Sequence, residues 1–227
     1  MRTNSRIPLT EEQITCSLSP FRVQPSNEQI LKIREYIRLL LKWNQSVSLT
    51  SIVDPAEIIT RHFGESMYAC SLMPVENSRL ADVGSGAGFP GLAMKIICPG
   101  LRVILIESNK KKCAFLSEII RALDLTDVEV LPMRFEETRV ISGFAEIVTA
   151  RALGGFPGLL RWAKTALAPR GHAILWVGGE DATKILSTAG WIWQPAVRIP
   201  ESQRRFILIG RPNPEAIYSY DKDNRKL

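Results

Sequence analysis

The stretch Asp82-Val83-Gly84-Ser85-Gly86-Ala87-Gly88-Phe89-Pro90-Gly91 is the most informative part of this chain, because it places four glycines behind a carboxylate. The apolar run at 79–83 predicts a strand before it, and the run at 92–97 predicts a helix after it. Glycine lacks a Cβ, so repeated glycines let the backbone adopt positive φ and let a ligand lie against the main chain. We interpret the stretch as a nucleotide-binding turn between a strand and a helix, in preference to a tight turn without a ligand.

Two ligands compete for this turn. Residues 86–91 satisfy the G-x-G-x-x-G dinucleotide fingerprint, which is typical of hydride-transferring enzymes. Asp82, two places before the first glycine, instead resembles the first motif of class I S-adenosylmethionine methyltransferases. Glu107 ends the next apolar run, at 103–106, where either fold would place a carboxylate against ribose hydroxyls. Glu107 therefore does not separate the two interpretations.

Length and composition indicate one α/β domain with an appendage. The chain has 227 residues, of which 45% are hydrophobic, enough for a sizeable core. Its four cysteines have no C-x-x-C spacing and it has only two histidines, so we expect neither a metal site nor a disulfide framework. The first residues are polar and basic, and no run approaches the roughly 18 apolar residues of a membrane span. We expect a cytoplasmic protein with no membrane partner.

The charge favours a polyanionic partner. A formal net charge of +6 and a pI near 9.3 make nucleic-acid binding plausible, because Lys and Arg contacts to phosphate supply sequence-independent affinity. A solvated basic surface is the alternative. The candidate contacts are Lys110, Lys111, Lys112, Arg204, Arg205, Arg34, Arg38 and Lys42.

The order of predicted elements indicates a helical N-terminal extension at 1–78, a ligand-binding domain at 79–212 and a C-terminal tail at 213–227. Alternating strands and helices from residue 79 predict a Rossmann-like, mostly parallel sheet of seven strands with helices on both faces. The predicted strands are 79–83, 102–106, 128–131, 145–149, 172–177, 192–199 and 205–210. The predicted helices lie near 90–97, 110–123, 155–167 and 180–189. The last two strands have no helix between them, which indicates a terminal antiparallel hairpin.

Several further motifs occur in an order that resembles one family. They are Trp43-Asn44, Leu49-Thr50, the run 61–66, the glycine turn, Glu107-Ser108 with Lys111 and Phe115-Leu116, the run 134–137, and the run 149–152. Between about residues 30 and 210 the chain resembles the bacterial small-subunit ribosomal RNA guanine-N7 methyltransferases called RsmG or GidB. The resemblance implies a class I methyltransferase fold with a helical N-terminal extension. It also implies methylation of N7 of a guanine in 16S rRNA of the small ribosomal subunit, with S-adenosylmethionine as cofactor, by a monomer.

The resemblance also implies roles for individual residues. Gly84, Gly86 and Gly88 would line the methionine part of the cofactor, Glu107 the ribose, and the backbone of Phe135 and Glu136 the adenine. Arg134 and Arg151 are the candidate catalytic residues and would project toward the cofactor or the RNA. The full set of expected cofactor-binding residues is Asp82, Gly84, Ser85, Gly86, Gly88, Phe89, Glu107, Phe135, Glu136 and Arg151.

Three positions depart from the family's usual pattern. Ser48 stands where the family usually has Asn, Glu65 where it has Asp, and Val177 where it has a lysine after the fifth strand. The missing lysine leaves open a second function, a non-catalytic or weakly active S-adenosylmethionine-binding RNA or ribosome-assembly factor. An NAD-dependent oxidoreductase is the third alternative. For His62 we expect a structural role between the extension and the core, with Glu65 or Ser66 as its hydrogen-bond partner.

Overall fold

The computed structural model describes residues 9–138, 142–151 and 154–214. The N-terminal helices are α1 (Glu11–Leu18), α2 (Asn27–Trp43), α3 (Pro55–Ile58) and α4 (Glu65–Met67). A π-helical turn, Ile59–Gly64, joins α3 to α4, and a 3₁₀ turn, Tyr68–Ser71, follows. Helix α2 begins with a capping box, since the Ser26 side chain accepts from Gln29 N and the Gln29 side chain accepts from Ser26 N.

The sheet contains eight strands in the order β3-β2-β1-β4-β5-β8-β6, with β7 also on β8. Their bounds are β1 (Arg79–Val83), β2 (Arg102–Ile106), β3 (Val128–Leu131), β4 (Ala145–Arg151), β5 (Leu167–Gly178), β6 (Trp191–Trp193), β7 (Val197–Arg198) and β8 (Arg205–Pro212). Strands β1 to β5 are parallel, and β8 runs antiparallel between β5 and β6. The predicted α/β fold with an antiparallel ending is confirmed.

One predicted strand is divided in the structure. The run expected at 192–199 forms β6 and β7, and both pair with the same edge of β8, so the sheet has seven positions and eight segments. Pro195 lies between the two segments and has no N–H to donate to β8. The prediction of one continuous strand was therefore wrong because an edge strand can be interrupted where a ladder donor is missing.

Helices cover both faces of the sheet. They are α5 (Gly91–Ile97), α6 (Lys110–Ala122), α7 (Phe156–Ala166) and α8 (Gly179–Leu186). One apolar cluster joins α1 and α2 to α5, α6 and the sheet, and a second joins α7 and α8 to the opposite face. The N-terminal helices thus share a core with the sheet, and the division at residues 78 and 79 stays a proposal. Within the described residues, no helix is both long and apolar enough to cross a membrane.

Candidate active site

The glycine turn lies after β1 and is fixed by contacts within the protein. Asp82 is fully buried: its Oδ1 accepts from Thr149 Oγ1 at 2.8 Å and its Oδ2 from Gly91 N at 3.3 Å. The Asp82 carbonyl accepts from Ser85 Oγ at 2.9 Å. Burial raises the pKa of Asp82 to about 6, while the hydrogen bond from Thr149 opposes the rise. Asp82 and Ser85 therefore hold the turn in place from beneath it, and neither lines the cavity above.

The four glycines have two different functions. Gly84 and Gly86 have positive φ, are half-exposed, and line a cavity above the sheet. Gly88 and Gly91 are buried: a Cβ on Gly88 would overlap Tyr36 Oη, and one on Gly91 would lie 2.9 Å from Asp82 Oδ2. The expectation that Gly88 lines the ligand is not supported by its position, because its missing Cβ makes room for a tyrosine.

A layer of aromatic rings supports the turn from the side of the N-terminal helices. Tyr36 Oη donates to Ala87 O at 2.7 Å, and the Tyr36 ring stacks on Phe89 at 5.2 Å between centroids. His62 stacks on Phe89 at 4.8 Å, also nearly parallel. The ring of Phe89, expected among the cofactor-binding residues, is buried in this layer and does not line the cavity.

His62 has the expected structural role but a different partner. Its Nε2 lies 2.8 Å from Thr50 Oγ1, and neither Glu65 nor Ser66 is its hydrogen-bond partner among the described residues. Burial lowers the pKa of His62 to about 3, with the positive charges of Arg151 and Arg61 acting in the same direction. The imidazole is therefore neutral at physiological pH and can share a single proton with the threonine hydroxyl.

The cavity lies at the carboxyl ends of β1 to β4, where open parallel sheets bind ligands. Its volume is about 390 Å³. Seven of the predicted site residues line it: Gly84, Gly86, Glu107, Arg134, Phe135, Glu136 and Arg151. Four lining residues were not predicted, namely Ile106, Ser108, Met133 and Gly154, and Lys112 was predicted only as an RNA contact. Lys112 is half-buried, whereas Lys110 and Lys111 are exposed, because the helical periodicity of α6 turns only the third lysine inward.

Glu107 connects the cavity to the glycine turn. Its Oε2 accepts from Gly86 N at 2.9 Å and its Oε1 accepts from Asn109 N at 2.8 Å. Each carboxylate oxygen has a second lone pair, so both can still accept from a ligand hydroxyl. The cavity size falls in the range of small-molecule sites, and a Cβ on Gly86 would approach only Gly84 O, at 3.7 Å, so the space above the turn is open. These residues fit a nucleoside with ribose hydroxyls.

Beside the cavity lies an arginine cluster, which we define as Arg61, Arg151 and Arg205 around the carboxylate of Glu65. Glu65 Oε1 accepts from Arg205 Nε at 2.9 Å and lies 2.7 Å from its Nη2, and Glu65 Oε2 lies 3.5 Å from Arg151 Nη2. Arg61 Nε is 3.9 Å from Glu65 Oε1. The Glu65 side chain is only 2% exposed.

The arginine cluster carries more charge and more donors than it satisfies internally. The Glu65 carboxylate faces three guanidinium groups, of which, within the described part of the chain, only Arg61 has a second carboxylate partner, Glu57 at 3.0 Å. Arg61 Nε and Arg151 Nη1 are buried with no hydrogen-bond partner among the described residues. Burial lowers the pKa of Arg151 and the Glu65 carboxylate opposes the shift, so the guanidinium stays charged. From the sequence, Glu65 was identified as a departure from the family pattern and as a candidate partner of His62, and not as the partner of three arginines. Two of its arginine partners come from β4 and β8, which are distant in the chain.

The side chain of Val177, in β5, lies on the face of the sheet that packs against α7 and α8, opposite to the N-terminal helices. Its side chain is 5% exposed within the apolar cluster of α7 and α8, whereas its neighbour Trp176 donates from Nε1 to Glu65 O at 2.7 Å on the face of the N-terminal helices. A lysine introduced at position 177 would start from an apolar site. The departure at Val177 therefore falls at a buried apolar position that does not line the cavity.

The strand order with an antiparallel β8, the glycine turn and the Glu107 cavity together define a class I S-adenosylmethionine-dependent methyltransferase. An all-parallel dinucleotide-binding sheet has no such antiparallel strand. A solved S-adenosylmethionine-dependent methyltransferase from Aquifex aeolicus superposes with a TM-score of 0.58 at 17% identity, covering 69% of this chain and 93% of that one. This likeness shows the fold.

The chain belongs to the GidB family, described as rRNA small subunit methyltransferase G, whose sequence model matches residues 29–190. A ribosomal RNA small subunit methyltransferase G from Acetivibrio thermocellus is 42% identical over 180 residues, which is 76% of this chain and 74% of the relative. One of the same name from Lactococcus lactis is 30% identical over 227 residues, covering 94% and 95% of the two chains. The family resemblance predicted from the motifs is confirmed.

Proposed function

We propose that this protein transfers a methyl group from S-adenosylmethionine to N7 of a guanine in 16S rRNA of the small ribosomal subunit. The observation that carries the proposal is the joint cavity, in which the glycine turn and Glu107 meet Arg134 and Arg151 at the carboxyl ends of the strands. Family membership supports the reaction, since the relatives are named as ribosomal RNA small subunit methyltransferases. We further propose that the protein acts as a monomer in the cytoplasm.

The chain's contribution to this reaction is positioning. When bound, S-adenosylmethionine supplies an electrophilic methyl group on a positively charged sulfur. Guanine N7 has an in-plane lone pair that can attack this carbon directly, so no residue has to remove a proton first. Alignment of three atoms is worth several kcal/mol of barrier. We propose that Glu107 and the backbone of Gly86 orient the nucleoside and that the arginine cluster beside them holds the RNA.

The test is a methylation assay with labelled S-adenosylmethionine on small ribosomal subunits and on naked 16S rRNA, from cells that lack this enzyme. We expect stoichiometric label on one guanine, as N7-methylguanine by mass spectrometry. Binding of S-adenosylmethionine without label transfer to either substrate would favour the assembly-factor function instead. Binding of NADH in place of S-adenosylmethionine in calorimetry would contradict both.

The basic surface offers a second test of RNA binding. Removing one lysine that binds a phosphate should reduce the slope of log affinity against log salt by about one unit. Lys110→Ala with Lys111→Ala should flatten this slope and leave S-adenosylmethionine affinity unchanged, because both lysines are exposed outside the cavity. Lys112→Ala is the matched comparison and should weaken S-adenosylmethionine binding, since Lys112 lines the cavity. An unaltered salt slope in the double variant would show that the two lysines are a solvated face.

A further inference from the structure

The two terminal nitrogens of the Arg151 guanidinium have different surroundings. Its Nη2 lies 3.5 Å from Glu65 Oε2, while its Nη1 is buried and has no hydrogen-bond partner among the described residues. Arg151 also lines the cavity with Glu107 and Gly86. A buried donor without an acceptor is costly, and more so when the group is charged. The Arg151 side chain is 16% exposed and lines the cavity, so a ligand acceptor there would satisfy Nη1 once the guanidinium turns toward it.

The target base offers such an acceptor next to the reacting atom. On the major-groove edge of guanine, N7 and O6 are both acceptors, whereas adenine carries an N6 donor in place of O6. N7 must remain free to take the methyl group, which leaves O6 for recognition. We propose that Arg151 Nη1 donates to O6 of the target guanine and that Glu65 is the residue that positions Arg151. This inference rests on the proposed function.

Glu65 is suited to the positioning role because it is itself fixed at several points. Its carbonyl oxygen accepts from Trp176 Nε1 at 2.7 Å, and its Oε1 accepts from Arg205 Nε. Its Oε2 is left to face Arg151 Nη2. The carboxylate also offsets the guanidinium charge beside a base that becomes positively charged on methylation. Loss of the carboxylate would release Arg151 from its orientation without removing the donor itself.

The experiment removes O6 from the target base, a change that also removes the hydrogen on N1. After the methylated guanine has been located, a synthetic RNA segment carrying 2-aminopurine at that position is ligated into 16S rRNA. 2-Aminopurine keeps N7 and the 2-amino group and lacks O6. The measured quantity is the ratio of kcat/KM for guanine to kcat/KM for 2-aminopurine. For the wild type we expect a ratio of about tenfold to a hundredfold, the range for one hydrogen bond to a charged group.

The variants separate recognition from a structural defect. Arg151→Ala should bring the ratio close to one by lowering turnover of guanine and leaving turnover of 2-aminopurine nearly unchanged. Glu65→Gln should also lower the ratio, and Glu65→Asp, which keeps the charge, should restore most of it. Glu146→Gln is the matched control: Glu146 pairs with Arg79, neither residue lines the cavity, and this change should leave both rates unchanged. If Arg151 and Glu65 had only a structural role, their substitution would lower kcat/KM for guanine and for 2-aminopurine by the same factor.

The outcomes distinguish this inference from the function on which it rests. If the wild type methylates guanine and 2-aminopurine equally well, the O6 contact is wrong and the methyltransferase function stands. If Arg151→Ala weakens S-adenosylmethionine binding in calorimetry while the base ratio keeps its wild-type value, Arg151 serves the cofactor and the inference is overturned. If the wild type modifies no guanine in rRNA, the proposed function and this inference fail together.

Discussion

The glycine turn and the arginine cluster lie on two sides of one cavity and are built in opposite ways. In the glycine turn, the polar groups of Asp82, Ser85 and Glu107 are hydrogen-bonded within the protein. In the arginine cluster, three guanidinium groups surround Glu65 and, in the part of the chain that the structure describes, only Arg61 has a second carboxylate partner, Glu57. One donor on Arg61 and one on Arg151 have no partner among the described residues.

The difference indicates which of the two regions already has its ligand-binding geometry when no ligand is bound. A turn whose polar groups are satisfied internally keeps one geometry with or without ligand, which lowers the ordering cost of binding. A cluster with excess charge and free donors gains most when an anionic or acceptor-rich partner binds. This difference supports the proposal that the turn binds the small cofactor and the arginine cluster binds the RNA.

The largest expected effect is a loss of S-adenosylmethionine affinity at the glycine turn. Gly86→Asp should lower S-adenosylmethionine affinity by more than about a hundredfold, since a carboxylate would enter the cavity beside Glu107, and each tenfold decrease corresponds to about 1.4 kcal/mol. Calorimetry measures the affinity, and circular dichroism checks the fold. Gly86→Ala is the control for the backbone strain at φ +56°, which both variants share, and should cost far less affinity because its Cβ would approach only Gly84 O, at 3.7 Å. Unchanged affinity in a folded Gly86→Asp protein would place the cofactor elsewhere.

Gly88→Ala should damage the support of the turn. A Cβ there would overlap Tyr36 Oη, and φ is +84°, so we expect a loss of about 3 kcal/mol in the free energy of unfolding. Denaturant unfolding measures it. Gly178→Ala, at a φ of −77° with no atom within 4 Å of the new Cβ, should be nearly neutral. Equal stability of the two variants would show that Tyr36 packing does not fix the turn.

Glu65→Ala should destabilise the protein through the arginine cluster. Removing the one carboxylate leaves partly buried guanidinium groups facing each other, which should cost about 2–3 kcal/mol of unfolding free energy. Sulfate should recover stability in this variant more than chloride at equal ionic strength, because an anion can replace the carboxylate. Glu146→Ala is the comparison, since its ion pair with Arg79 is 40% and 43% exposed and should contribute at most about 1 kcal/mol. A sulfate effect of the same size in both would contradict the charge excess.

The smallest expected effect is on the pH dependence of folding stability, to which His62 and Asp82 contribute with opposite signs. The folded-state pKa of His62 is lowered to about 3, so the unfolded chain binds the extra proton, and stability from His62 is lost as pH falls below about 6.5. The folded-state pKa of Asp82 is raised to about 6, so its effect has the opposite sign, and stability rises as pH falls from about 6 toward 4.

His62→Phe should therefore reduce the loss of stability between pH 7 and pH 5 by up to about 2 kcal/mol. Asp82→Asn should increase that loss by a smaller amount. Urea unfolding at the two pH values measures both changes. The same pH dependence in His62→Phe as in the wild type would show that His62 is not held neutral in the folded protein.

The fold class, the family and most of the cavity could be predicted from the amino-acid sequence. Strand and helix periodicity, the glycine turn and the carboxylate after β2 are local features, and parallel strands bring their carboxyl ends to one edge whatever the details of packing. Seven predicted residues therefore meet in the cavity, from Gly84 to Arg151. The interrupted edge strand at Pro195 was missed because hydrophobic alternation does not report a missing ladder donor.

The role of each residue around the cavity depends on the tertiary structure. Gly88 and Phe89 belong to the same motif as Gly86, yet Tyr36 and His62, which are distant in sequence, turn them into packing residues. Glu65 gained three arginine partners from the π-helical turn, β4 and β8. Burial and charge pairing depend on which distant segments come together, and no short stretch of sequence contains that information.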